Sequence, residues 1–178
     1  MVKTSNKSIG LLGGSFDPAH KGHLEISKIA LKKIKVNEIL WVVTKKNPFK
    51  KKPFFSLQER LRQARKIVKN VKKIKVIHLD KVAKSSRSIN IINYLINKRR
   101  PKIIYFMIGS DNLIKFHKWK SWKKIVKLTK LLVFSRKGYD NKGYNSIVSK
   151  HFKNKIIFIK NKHFVISSTK LKKVKKYY

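Results

Sequence analysis

Short apolar, β-rich runs alternate along this chain with longer stretches whose apolar residues recur at helical spacing. That alternation limits the folds open to it, because strands separated by helices form a parallel sheet with helices on both faces. The first run, Ile9–Leu12, ends at Gly13-Gly14 and leads into a helical stretch from about Gly22 to Ile34. In that stretch Ile26, Ile29, Ala30 and Ile34 share a face, flanked by Leu24 and Leu31. Ile39–Thr44 is apolar throughout, as a strand buried on both sides should be. A lysine-rich loop punctuated by Pro48 and Pro53 follows.

Ser56 and Glu59 have the S-x-x-E spacing of a capping box, and Leu57, Leu61, Ala64, Val68 and Val71 follow at helical spacing. Further strands are expected at Lys75–Leu79, Ile103–Ile108, Leu131–Ser135 and Ile156–Ile159. Further helices are expected at Ser88–Lys98 and from Ser168 onward, with Trp119, Trp122 and Ile125 on a helical or looped stretch. The 178 residues suffice for one domain, 1–178, with a proper core, so the expectation is a single Rossmann-like α/β unit with a mostly parallel sheet.

Composition narrows the function. A hydrophobic content of 42% excludes a disordered tail even with 30% charged residues. With no cysteine, disulfides and thiolate metal sites are excluded. No secretory signal or membrane-length apolar stretch is present, which points to a cytoplasmic protein. The net charge of +40 would attract polyanions at low salt, yet the lysines are spread along the whole chain rather than gathered in one arm. Together with the abundance of Ile and Asn, that spread reads as compositional drift on a solvated surface. No specific nucleic-acid partner and no membrane partner are expected, although phosphate-bearing substrates would be steered inward.

The segment GGSFDPAHKGH, Gly13 to His23, joins a strand end to a helix start. In an open α/β sheet this is where ligands bind. Gly13 and Gly14 allow close approach of a phosphate, and the helix start offers free amides and a positive dipole end. His20 and His23 lie three apart and share a face of the first turn. Two imidazoles there can supply hydrogen bonds and positive charge as negative charge develops, each such donor contributing roughly 10²–10³ in rate. No GK[ST] follows the glycines, and the G-x-G-x-x-G spacing is absent, so neither a P-loop nor a dinucleotide turn fits.

This segment resembles the ATP loop of the adenylyl- and cytidylyltransferase superfamily, G-x-F-D-P-x-H-x-G-H. ISSTKLK at Ile166–Lys172 is similar to the superfamily's second marker, I-S-S-T-x-x-R, so the resemblance spans nearly the whole chain. Within the superfamily, IGSDNLIKFHKWKSW (Ile108–Trp122) resembles I-G-A-D-x-L-x-x-F-x-x-W of the bacterial nicotinate-nucleotide adenylyltransferases, with Ser110 at a usual alanine. VFSRKGYD (Val133–Asp140) is similar to their strand followed by R-P-G-Y. The resemblance implies a Rossmann-like fold and transfer of AMP from ATP to nicotinate mononucleotide. It also implies Mg²⁺ carried on the ATP phosphates rather than by protein side chains.

Carried over by position, it implies catalytic contacts from His20 and His23 to the ATP phosphates. Gly13, Gly14, Ser15, Phe16, Gly109, Asp111, Ser167, Ser168, Thr169 and Lys172 would bind ATP. Lys50, Trp119 and Arg136 would bind the acceptor, with Trp119 stacked on the pyridine ring. The pattern departs from the family at four places. Lys172 replaces arginine, losing the planar fork but keeping the charge. Phe49 removes a loop histidine, SSRSINIINYL (Ser85–Leu95) barely matches Y-T-x-D-T-L, and Tyr178 follows soon after ISST, so a long C-terminal helical tail is not expected. The same chemistry on nicotinamide mononucleotide or phosphopantetheine is the alternative, and a basic nucleic-acid-binding protein a distant one. Phosphopantetheine enzymes usually carry threonine where this chain has His20, and lack the Trp119 segment.

Overall fold

The run Ile39–Val43 has no polar side because both faces of its strand are covered. Leu40 and Val42 enter one hydrophobic cluster, and Ile39, Trp41 and Val43 enter another on the opposite side, as the two-residue period of a strand requires. The computed structural model describes residues 5–45, 52–162 and 168 of the chain. Its strands are β1 (Ser5–Gly14), β2 (Glu38–Val43), β3 (Ile74–Ile77), β4 (Pro101–Gly109), β5 (Lys130–Phe134) and β6 (Ile156–Ile159). They lie in the order β3-β2-β1-β4-β5-β6, each neighbouring pair parallel. This is the Rossmann-like sheet expected from the sequence.

Helices cover both faces. On one side, α1 (Lys21–Lys33) and α2 (Leu57–Val68) supply Ala30, Leu61, Ala64 and Val68 to the cluster around Trp41. On the other side, α3 (Ser88–Arg99), α4 (Ser110–Lys115), α5 (Trp122–Leu128) and α7 (Ile147–His151) bury Ile92, Leu95, Leu113, Ile125 and Val148. The short helices α4, α6 (Asp140–Tyr144) and α7 have no counterpart in the sequence reading. With five or six residues each, they are too short to show a helical period. The helix expected from Ser168 onward lies outside the described residues, Ser168 itself excepted. Among the described residues, no helix is long and apolar enough to cross a membrane.

Two polar residues hold this frame from within. In α1 the apolar residues picked out by periodicity, Ile26, Ile29 and Ile34, are only half-buried, and the deepest positions besides Gly22 are Ser27 and Ala30. Ser27 Oγ donates to the His23 carbonyl at 2.8 Å and accepts from Trp41 Nε1 at 2.9 Å, tying the first turn of α1 to β2. In α2, Ser56 Oγ caps the helix by accepting from Glu59 N at 3.2 Å. One turn in, Arg60 is 2% exposed. Its Nη1 donates to the carbonyls of Ser15 at 2.6 Å and Thr44 at 2.8 Å, while Nε and Nη2 reach Phe55 at 3.1 Å and Lys45 at 3.3 Å.

Burial lowers the Arg60 pKa from its ordinary value, and Asp17 and Asp80 oppose the shift. Arg60→Met would leave those carbonyls without their donor and is expected to cost roughly 2–4 kcal/mol of stability in urea denaturation. Arg62→Met, at a position whose side chain is 79% exposed in its pair with Glu59, should cost under about 0.5 kcal/mol.

Candidate active site

The sheet order reverses between β1 and β4, so the crevice at their carboxyl ends is where such a sheet binds ligands. β1 ends in Gly13-Gly14 and β4 in Gly109. The loop after β1 is built to stay in place. Phe16 adopts a left-handed backbone, φ 46°, which costs roughly 1–2 kcal/mol for a residue with a side chain. Its ring is 2% exposed, stacks on Trp41 at 5.2 Å and touches His23 at 4.9 Å. Burial of that ring contributes roughly 1.5–3 kcal/mol and offsets the strain. Asp17, also buried, accepts from the backbone of Phe54 and Phe55, both at 2.9 Å. Arg60 pins the Ser15 carbonyl beside it.

His20 caps the start of α1, and the imidazoles of His20 and His23 lie 3.8 Å apart between centroids. His23 Nδ1 accepts from the His20 backbone N–H at 3.2 Å. A neutral His23 therefore carries its proton on Nε2, which becomes a fixed donor. His20 Nδ1 is buried without a hydrogen-bond partner among the described residues. Burial and then the Arg136 charge lower its pKa from 6.5 to about 4. At neutral pH, with no ligand, His20 is therefore uncharged. An anion beside it would pull the pKa back up.

Two cavities open at this edge of the sheet. One, about 60 Å³, is lined by His20, Gly22, His23, Gly109, Arg136 and Lys137 among others. Ile26 and Phe134 in its wall belong to the α1–α2 side. The other, about 250 Å³, reaches from Gly13 and Gly14 past Thr44, Ser86 and Ser88 to Trp119. Its apolar wall of Leu11, Val42, Ile91, Phe106 and Ile125 belongs to the α3–α5 side. The cavities thus lie on opposite faces of the sheet, separated at the edge by glycines. Among the described residues, a Cβ added to Gly13 would meet no atom within 4 Å beyond its chain neighbours, so no packing fills the space beside it. At Gly109 a Cβ would instead collide with the Asp111 carboxylate and the Arg136 side chain.

Arg136, expected to bind the acceptor together with Trp119, lines the histidine cavity and not the Trp119 cavity. Its Nε lies 3.7 Å from Asp111 Oδ1, and its backbone N–H donates to Asp140 Oδ1 at 2.9 Å and Ser110 Oγ at 3.1 Å. Ser110 Oγ donates to the same Asp140 oxygen at 2.7 Å, and Ser135 Oγ binds the other. The hydroxyl that replaces a usual alanine therefore fastens the Arg136 turn to the start of α4. Trp119 is half-buried, tilted against Phe116 at 4.9 Å with Phe106 edge-on at 6.1 Å. From the other end of the sequence, Ser168 Oγ donates to the Pro18 carbonyl at 2.9 Å, so the two terminal motifs meet. Lys50, Ser167, Thr169 and Lys172 lie outside the described residues. Sequence reasoning missed Ser27, Arg60, Asp17 and Asp140, whose partners are remote in sequence or reached only through the loop's fold.

An open parallel sheet with a histidine-bearing loop at its switch point and an aromatic cavity behind it defines a nucleotidyltransferase of the Rossmann-like kind. The comparisons make that specific. A profile of the cytidylyltransferase-like family matches residues 11–174. A Pelagibacter ubique protein named "Probable nicotinate-nucleotide adenylyltransferase" is 46% identical over 181 residues, covering 98% of this chain and 100% of that one. A protein of the same name from Aquifex aeolicus is 32% identical over 165 residues, covering 89% and 98%. The chain belongs to the cytidylyltransferase-like family and, within it, to the nicotinate-nucleotide adenylyltransferases. The fold is shared with the Plasmodium falciparum nicotinic acid mononucleotide adenylyltransferase complexed with NaAD, at TM-score 0.73 and 20% identity over 94% of this chain and 83% of that one.

The depressed His20 pKa has a measurable consequence. Between pH 6.5 and 4 the unfolded chain binds a proton at His20 that the folded chain refuses. The stability tied to this group is therefore complete above pH 6.5 and falls as the pH drops towards 4, by roughly 3 kcal/mol in all. In His20→Gln that part of the pH dependence should vanish from denaturation curves. By NMR the His20 midpoint should rise in Arg136→Ala.

Proposed function

We propose that the chain transfers the adenylyl group of ATP to nicotinate mononucleotide, giving deamido-NAD and pyrophosphate. The observation that carries this reading is the pair of cavities on opposite faces of the sheet, one lined by Gly13 and Gly14 and the other by Gly109. The triphosphate lies over the start of α1, where backbone amides and the helix dipole favour anions, with His20, His23 and Arg136 around it. Asp111 faces the adenosine side beside Gly109. The acceptor lies in the larger cavity with its ring against Trp119 and its phosphate at the glycine end.

There, a phosphate oxygen of the acceptor attacks the α-phosphorus of ATP. The bond from that phosphorus to the bridging oxygen breaks, and pyrophosphate leaves with the electron pair. The Nε2–H of His23 donates to a non-bridging α-phosphoryl oxygen, a contact that strengthens as charge builds there. Among the described residues no cluster of three or more His, Cys, Asp or Glu side chains forms. A divalent ion, proposed as Mg²⁺, would come bound to the triphosphate and there neutralise phosphate charge. The larger cavity also favours a carboxylate on the ring. Arg87, Lys118 and Lys120 line it, and among the described residues no acidic side chain does.

The deciding experiment assays both pyridine mononucleotides side by side with ATP and Mg²⁺, reading pyrophosphate release. Turnover should favour the acid. No turnover with either would overturn the reading. His23→Ala is expected to lower kcat by roughly 10²–10⁴ with the fold retained by circular dichroism. Gly13→Ala, which among the described residues meets no atom beyond its chain neighbours, should unfold at the same temperature as wild type to within a few degrees, yet lose at least about tenfold in kcat/KM for the acceptor as the methyl takes ligand space.

A further inference from the structure

Four buried polar side-chain atoms lack a hydrogen-bond partner among the described residues: His20 Nδ1, Asp80 Oδ1, Asp111 Oδ1 and His117 Nδ1. A buried polar group without a partner carries a desolvation cost, so such groups are expected to be few and scattered unless a site needs them. His20 lines the histidine cavity, Asp111 Oδ1 lies 3.7 Å from the Arg136 Nε that also lines it, and His117 is two residues from Trp119. Asp80 has been given no part in the reaction.

Asp80 follows β3 by three residues, and its side chain is 11% exposed. Oδ2 accepts from the backbone N–H of Lys45 at 2.7 Å and from Ser86 Oγ at 2.5 Å. Its backbone carbonyl accepts from Ser85 N at 3.0 Å. The nearest ring, His78, stands 3.9 Å from Oδ1, with its Nδ1 2.8 Å from the Val43 carbonyl, which can only accept. The two groups that Oδ2 holds belong to different walls of the Trp119 cavity. Thr44, next to Lys45, lines it from β2, while Ser86, Arg87 and Ser88 line it from the approach to α3. Lys45 is also clamped on its far side, since Arg60 Nη2 binds its carbonyl at 3.3 Å.

From this geometry we infer that Asp80 is a positioning residue for the acceptor, one carboxylate oxygen setting the spacing between the β2 wall and the α3 wall of the Trp119 cavity. The inference rests on that cavity being the acceptor site. Asp80 touches neither cavity itself, so its effect should fall on acceptor binding and leave ATP alone. A residue that merely stabilised the fold would not make that distinction.

The test is steady-state kinetics with each substrate varied in turn, on the full chain with ATP, Mg²⁺ and nicotinate mononucleotide. Ser86→Ala removes one of the two tethers and should raise the acceptor KM roughly three- to tenfold, the scale of one hydrogen bond. The KM for ATP should stay within about twofold of wild type. Asp80→Ala should raise the acceptor KM by more than tenfold, and Asp80→Asn, which keeps an accepting oxygen, should fall between. If Asp80→Ala fails to fold, Ser86→Ala decides alone. Equal rises in both KM values, a fall in kcat with both KM values unchanged, or a Ser86→Ala enzyme indistinguishable from wild type would each overturn the inference. Absence of turnover in the wild-type protein would overturn the acceptor reading itself and, through it, this inference. That result is separable, because it needs no variant.

Discussion

The guanidinium of Arg60 occupies a place where three stretches of backbone would otherwise present four carbonyls to each other with no donor between them. It binds the loop after β1 at Ser15, the end of β2 at Thr44 and Lys45, and the approach to α2 at Phe55. A buried cation is costly on its own, but most of its donors are used here and Asp17 and Asp80 oppose the loss of its charge. The loop after β1, the end of β2 and the start of α2 are therefore held by one planar group. Lysine could not do the same, because its single ammonium has no fork to span several carbonyls.

Much of the architecture could be read from the residues, for a physical reason. Parallel strands buried on both faces appear as unbroken apolar runs, and helices between them carry a 3.6-residue period. The expected strands are found within a few residues of their predicted bounds, and β1 and β4 extend furthest beyond them. His20, His23 and the glycines were legible because a strand, a tight turn and a helix start are local features. Trp119 was legible only through family resemblance.

What could not be read has one cause: contact between residues far apart in sequence. Ser27 looks like an ordinary helix serine until Trp41 is beside it, and Asp80 like a loop carboxylate until Lys45 and Ser86 converge on it. Arg136 follows a strand whose sequence does not say towards which side of the sheet the next turn will carry its side chain. The structure puts it with the histidines. Ser110, a departure from the family pattern, proves to bind Asp140 and the backbone of Arg136.

The glycine ends of β1 and β4 act as a low partition between two compartments, one on each face of the sheet. With the substrates placed as proposed, each would need only its own compartment, and neither would have to wait for the other to enter. The joined dinucleotide is different. It would cross the partition and be anchored at both ends, so that when one end lets go, the other keeps it at high local concentration. In such a site the bond-making step converts two separately held ligands into one bivalent ligand, and departure becomes a two-stage event.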